Sequence, residues 1–377
     1  MFSSKFGWDF LVDGWVSPYN SVNNLLRRLS RRTGSEATKR SYLGVIRRFC
    51  CYVGMDPDEL LKLEREKLES LVQSYCDKFN NPNYSRKYAN NVLRILKSFF
   101  EANGLRLNVE GYYLPTRYRK RPEYIPTKNE VYDMADNAGS LRNRAIILTL
   151  FSTGLRVSTL IALIYGDVKE ELEKGYPIVK IPVYPEMKKR IPEACKGNIS
   201  YFTFTCREAV KAIKLYLEER KRKYGDIEPN QPLFHSEYNQ ITREQRKVKF
   251  MSIREVELIV KSSARKAGIK EWMYVTPHSL RKTYESILRS ELIDGGRLDI
   301  KTQEFFMGHV LPGSQDAYYD KSKVEELRAE YARINFSRKI VENKFKLIEL
   351  SLIKAFEGTG IDWKEALNEY VKLKGFT

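Results

Sequence analysis

Ser152 to Leu160 reads STGLRVSTL and sets Arg156 directly after a Gly-Leu turn at a helix start. Pro277 to Tyr284 reads PHSLRKTY, where His278 and Arg281 stand three residues apart and so share a helix face. Met307 to Asp320 reads MGHVLPGSQDAYYD. Here His309 follows a glycine, and Tyr318 and Tyr319 come nine and ten residues later. The chain has 3 histidines; two lie in these stretches and His235 does not. Taken singly, each stretch has an ordinary reading. A YY pair among 24 tyrosines, for instance, carries no information alone.

Taken together, two arginines, two histidines and a tyrosine suit one kind of chemistry. Two guanidinium groups can grip a phosphate and stabilise the extra negative charge of a pentacovalent transition state. A tyrosine hydroxyl attacks when a base or cationic surroundings favour its phenolate. A histidine, or a lysine from a neighbouring strand pair, can pass protons to the nucleophile or the leaving oxygen. The set has no carboxylate cluster and no metal-ligand spacing. It points to metal-free phosphoryl transfer through a covalent phosphotyrosine, with no cofactor.

The whole-chain balance agrees. Sixty-six Lys and Arg against 48 Asp and Glu give a formal charge of +18, and a polyanion is the natural partner. A membrane surface would call for a helix with its basic residues on one face, opposite a Trp/Leu face, and no long segment has that pattern. The longest largely apolar run, Ala145 to Phe151, is far below the roughly 20 residues that cross a bilayer. The start, MFSSKFGWDFLVDGW, has no cleavage pattern. An intracellular, cytoplasmic, soluble protein is expected. The 5 cysteines, an odd number without metal spacing, read as free thiols.

These groups need elements to hold them. Ser35 to Val53 carries an apolar stripe (Tyr42, Val45, Phe49, Val53) that stops at Gly54. Asp56-Pro57 reads as the cap and first position of a helix running through Phe79. Ser85 caps a third helix with the stripe Tyr88, Val92, Ile95 and Phe99 before Gly104. Many outward positions are basic: Arg27, Arg28, Arg31, Arg32, Lys39, Arg40, Arg47 and Arg48. The stretch TRYRKRPEYIP, Thr116 to Pro126, reads as an extended basic linker. Beyond it, Ser140 to Phe151 is an apolar helix stopping near Gly154, followed by a helix from Arg156 to Tyr165. PIVKIPV and ISYFTFT, between Pro177 and Thr205, are the convincing strands. A helix is expected over Cys206 to Arg222. Near the end, Phe345, Ile348, Leu352 and Phe356 form an amphipathic stripe.

With these residues in view, the sequence resembles the tyrosine recombinases, or phage-type integrases. TGLRVSTL is similar to the family's first-arginine box, LIALIYGDV to its continuation, HSLR to the H-x-x-R box, and MGH…YY to the final His-and-Tyr box. The ending YYDKSKVEELRAEY is similar to archaeal mobile-element integrases. The resemblance implies a mainly α fold with a small antiparallel β-sheet. It also implies an N-terminal helical core-binding domain (1–106), a basic linker (107–126), a catalytic domain (127–336) and a C-terminal helical extension (337–377). On this resemblance Arg156 and Arg281 clamp the scissile phosphate, His278 transfers protons, and His309 hydrogen-bonds the phosphate. A tyrosine attacks, leaving a 3′-phosphotyrosyl link. The partner is double-stranded DNA at recombination sites, bound by a tetramer of two dimers that often exchanges a C-terminal segment.

Tyr319 is the expected nucleophile, with Tyr318 as the alternative. The context Ala317-Tyr318-Tyr319-Asp320 resembles relatives in which the second tyrosine attacks, with Pro312 as one inserted residue. Adjacent helical residues point about 100° apart, so one of the two can face the phosphate. Two features depart from the family. Thr159 stands where an acidic residue is usual, three after the first arginine. The strand connection that carries the catalytic lysine is long, YPEMKKRIPEACKG. Lys188 is taken for that lysine, with Lys189 and Lys196 as alternatives. The rival functions are relaxation of supercoils by a type IB topoisomerase and architectural DNA binding without catalysis. The sequence does not name the DNA target, the host element, or integration against excision or dimer resolution.

Overall fold

A computed structural model of the chain describes residues 14–115, 123–237, 242–311, 320, 322–338, 356, 362 and 364–365. It divides into two compact units, Met1–Pro122 with Glu186–Lys196, and Glu123–Pro185 with Gly197–Thr377.

The first unit contains α1 (Asn20–Arg32), α2 (Glu36–Val53), α3 (Pro57–Leu60), α4 (Arg65–Asp77) and α5 (Arg86–Ala102). Ser35 caps α2 by accepting from the Thr38 N–H, and Gly54 ends it in the left-handed conformation. Ser85 caps α5 in the same way, through the Tyr88 N–H. α1, α2 and α4 all pack on α5, whose Val92, Ile95, Leu96, Phe99 and Phe100 are buried. Leu107 and Val109 join this core.

One expected helix is broken. The segment from Pro57 to Phe79 forms two helices separated at residues 61–64. Leu61 and Leu63 both pack on the core around buried Leu60 and Leu68. In an unbroken helix, positions 61 and 63 would point about 200° apart, so one of them would face water. Leaving the helix lets both pack.

The second unit contains α6 (Lys128–Asp136), α7 (Leu141–Thr153), α8 (Val157–Ala162) and α9 (Lys169–Glu173), then strands β1 (Lys180–Val183) and β2 (Tyr201–Phe204). α10 (Arg207–Tyr224), α11 (Arg243–Val248), α12 (Ile253–Lys266), α13 (Pro277–Leu288) and α14 (Ile300–Phe306) follow, and the last long helix described is Val324–Ala332. β1 and β2 pair antiparallel, Lys180 opposite Phe204 and Val183 opposite Tyr201. The fold is mainly helical with this small sheet. α7 is the hub: residues Ala145 to Thr153 are all buried, with α6, α10 and α13 packed around them.

The helix expected over Arg156 to Tyr165 is shorter. At Leu163 the chain turns extended, because 163–166 is drawn into pairing with 229–233. The Leu233 N–H reaches the Leu163 carbonyl at 2.8 Å, and the Tyr165 N–H reaches that of Gln231 at 2.9 Å.

The segment after α14 is fastened inside this unit. Arg328 grips Glu171 with two bonds (2.8 and 2.9 Å) and also donates to the Ile178 carbonyl. The Tyr331 hydroxyl donates to the Ser152 carbonyl at 2.5 Å. All five cysteines are free thiols. No described helix is long and apolar enough to cross a membrane. Of the expected linker, residues 116–122 lie outside the described residues. So does most of the Phe345–Phe356 stripe.

Candidate active site

Three chain breaks around α7 build the site. The first is the end of α7. Gly154 takes φ +59°, and a β-carbon there would stand 2.2 Å from the Tyr284 ring. Both the left-handed turn and the ring contact call for glycine. The turn starts α8 at Arg156, whose backbone carbonyl accepts from Thr159 and Leu160. Thr159 is buried and makes this cap contact, so no carboxylate stands at that position.

The second is the start of α13. Thr276 and Ser279 form a reciprocal capping box, and Pro277 fills the first helical position. This fixes His278 and Arg281 on neighbouring turns. Arg281 is 5% exposed. Its guanidinium donates to the carbonyls of Gly154 and Met307, and its Nη2 lies 3.2 Å from His309 Nε2. Tyr201 of β2 also hydrogen-bonds it.

The third is the end of α14. Gly308, at φ +63°, sits against the Tyr201 ring; a β-carbon would come within 2.3 Å of it. The Gly308 N–H bonds the Phe305 carbonyl (2.8 Å) and the His309 N–H bonds the Glu304 carbonyl (3.0 Å). These two bonds are the Schellman termination of a helix. They place the His309 ring over the last turn, where Nδ1 lies 2.6 Å from Glu304 Oε2.

Three of the sequence-predicted groups, Arg156, His278 and Arg281, therefore lie within electrostatic reach of one another. Burial pushes the Arg281 guanidinium below its ordinary value. Arg156 adds to this, and Tyr201 opposes it. His278 is exposed, yet its imidazole is also held below the usual value. The loss of water around the ring is the first cause, and Lys282 the second; Arg281 and Arg156 add, while Glu123 opposes. A neutral imidazole beside two guanidinium groups can accept a proton while they attract an anion. The arginines differ in commitment. Arg281 is held by carbonyls of two loops, whereas Arg156 is half-buried and hydrogen-bonds to no side chain among the described residues.

The structure thus brings Arg156, His278, Arg281 and His309 near one another. Lys188 does not join them in the same unit. It lies half-buried in the short turn Pro185–Lys189 and is grouped with the first unit, while Lys189 and Lys196 are exposed. Tyr318 and Tyr319 lie outside the described residues. Sequence reasoning missed Glu304, Tyr201 and Tyr284. Glu304 reads in sequence as an ordinary glutamate near a helix end, and the two tyrosines stand out only once the fold sets them against Gly308 and Gly154.

Comparison with known proteins places this arrangement. The signature of the phage integrase family matches residues 127–325, just over half of the chain. Tyrosine recombinase XerA of Pyrococcus horikoshii is 29% identical over 235 residues, covering 62% of this chain and 70% of its own. XerA of Thermococcus kodakarensis is 27% identical over 260 residues, covering 68% and 79%. Among solved structures, that of XerA recombinase covers 86% of this chain and 97% of its own at 22% identity, with a TM-score of 0.36. A lambda integrase(75–356) dimer bound to a COC′ core site covers 77% and 93% at 13% identity, with a TM-score of 0.48. By the family signature, this chain belongs to the phage integrase family.

Proposed function

We propose that the chain is a site-specific DNA recombinase that cuts and rejoins duplex DNA through a 3′-phosphotyrosyl intermediate. The observation that carries the reading is the convergence of Arg156, His278 and Arg281, with His309 bonded to Arg281. That constellation offers positive charge and a neutral base, and among the described residues no carboxylate hydrogen-bonds directly to either arginine. It suits a phosphodiester, which is anionic before attack and more so in the transition state.

In this reading Arg156 and Arg281, the latter already fixed by two carbonyls, hold the two non-bridging oxygens. His278 takes the proton of the attacking hydroxyl, and His309 hydrogen-bonds the phosphate. Tyr319 is the nucleophile, with Tyr318 as the alternative, and Lys188 protonates the leaving 5′-oxygen. The covalent bond keeps the phosphodiester energy for rejoining, so neither metal nor nucleotide is required. The first helical unit adds a second basic surface for DNA. Its Arg27, Arg28, Arg31 and Arg32 line one open cleft beside α5. Four protomers on two duplexes would complete the reaction.

Covalent capture tests this. The protein is incubated with a pool of nicked duplexes, and the DNA held through tyrosine is recovered and sequenced. Recombination between two copies of the recovered site is the expected outcome. Relaxation of supercoils on DNA lacking that site would instead support the topoisomerase reading. Tyr319→Phe should abolish the adduct while leaving DNA binding intact. Loss with Tyr318→Phe alone would reassign the nucleophile.

A further inference from the structure

The arginine-histidine contact sets a rule about protons. A guanidinium only donates hydrogen bonds. Arg281 Nη2 stands 3.2 Å from His309 Nε2, so Nε2 must be the unprotonated, accepting nitrogen. The ring proton then resides on Nδ1, which lies 2.6 Å from the Glu304 carboxylate and donates to it. Both faces of the imidazole are therefore assigned, one by a pure donor and the other by a pure acceptor.

Glu304 is placed for this by the backbone. It is the third residue from the end of α14, the position whose carbonyl accepts the His309 N–H in the Schellman turn. One residue holds both the main-chain N–H and the ring N–H of His309.

We propose that Glu304 is a positioning residue for strand cleavage. It holds His309 by its Nδ1–H and aims Nε2 at the place where Arg281 receives the phosphate; to hydrogen-bond that phosphate, Nε2 takes up a proton from solvent and becomes the donor. The inference rests on the recombinase reading for its catalytic consequence. The tautomer it requires can be measured without DNA.

The test uses the full chain with ¹⁵N-labelled histidine, whose 3 histidines give a readable spectrum. His309 should show a protonated Nδ1 and an unprotonated Nε2. Glu304→Ala should give mixed tautomers and slow single-turnover adduct formation on the captured duplex by about 10- to 100-fold, the cost of a misplaced group. DNA affinity should be unchanged. Glu304→Gln keeps a carbonyl oxygen that can accept the Nδ1–H, so it should restore the tautomer and most of the rate. It also serves as the readout if the alanine variant fails to fold. A wild-type cleavage rate in Glu304→Ala would overturn the proposal. So would an Nε2–H tautomer in the unaltered protein, or a Glu304→Gln protein that switches tautomer and cleaves at full rate. Failure of the recombinase reading looks different: the unaltered protein would form no adduct on any duplex, whatever its histidine spectrum.

Discussion

The Tyr284 ring lies directly against Gly154, and a β-carbon on that glycine would stand 2.2 Å from Tyr284 Cδ1. Because Gly154 also holds a positive φ and offers its carbonyl to Arg281, one residue couples the end of α7 to that guanidinium.

Gly154→Ala should therefore destabilise the protein by about 2 kcal/mol or more, combining left-handed strain with overpacking. Gly175→Ala provides the comparison, since it shares the positive φ but faces open space. Its cost should stay near ~1 kcal/mol. Equal losses in denaturant titrations would show that the Tyr284 contact contributes nothing.

The two arginines should separate stability from catalysis. Arg156→Ala removes a group with no hydrogen-bonded side-chain partner among the described residues, so stability should change by less than about 0.5 kcal/mol. Cleavage should fall about 10²-fold or more. Arg281→Ala strips a donor from the buried carbonyls of Gly154 and Met307. It should cost about 1–3 kcal/mol as well as activity. Unfolding curves and single-turnover cleavage measured together decide this; identical behaviour of the two variants would contradict the difference in commitment.

His235, outside the site, should report acid unfolding. It is buried between Tyr216 and Tyr224, with Nδ1 2.7 Å from the Tyr216 hydroxyl. Burial first, then Arg220 and Arg142, push its imidazole from 6.5 down to about 3. The folded protein keeps the ring neutral, whereas the unfolded chain takes up a proton near pH 6.5. Stability contributed by His235 is thus present above pH 6.5 and falls as pH drops toward about 3. The slope from this one group is on the order of 1.4 kcal/mol per pH unit. His235→Gln should flatten the pH dependence between about 6 and 4. An unchanged slope would rule this group out as the cause.

DNA affinity should weaken steeply with salt. Arg27, Arg31 and Arg32 are exposed on α1, whereas Arg28 is paired with Glu101. Replacing the first three with alanine should reduce the log–log salt slope by about 0.9 for each phosphate that is no longer neutralised. A slope indifferent to all three would move the DNA-binding face elsewhere on this unit.

How far the sequence foretells the structure depends on whether a signal is local. The caps Ser35, Ser85 and Ser140 and the stops Gly54 and Gly154 mark α2, α5 and α7 because cap chemistry lies within a few residues. The break after Leu60 is hidden: Leu61 and Leu63 leave the helix to satisfy a core made by distant residues. The early exit of α8 depends on a partner some 65 residues away, at 229–233. In the site, Arg156, His278, Arg281 and His309 stand out by type and spacing. Glu304 does not, since a glutamate near a helix end reads as an ordinary surface charge. Its meaning comes from the turn that folds His309 back over it.

That turn has a consequence for the thermodynamics of DNA binding. With its main-chain N–H and its ring both tied to Glu304, the His309 ring cannot rotate without breaking its bond to that carboxylate. Its conformational entropy is lost when the protein folds, before DNA arrives. Arg156, whose side chain has no hydrogen-bond partner among the described residues, would give up rotamer freedom on binding a phosphate, roughly 0.5–1.5 kcal/mol for such a side chain. On the proposed recombinase reading the site is thus asymmetric in time: one side is set during folding, and the other is ordered by the DNA itself.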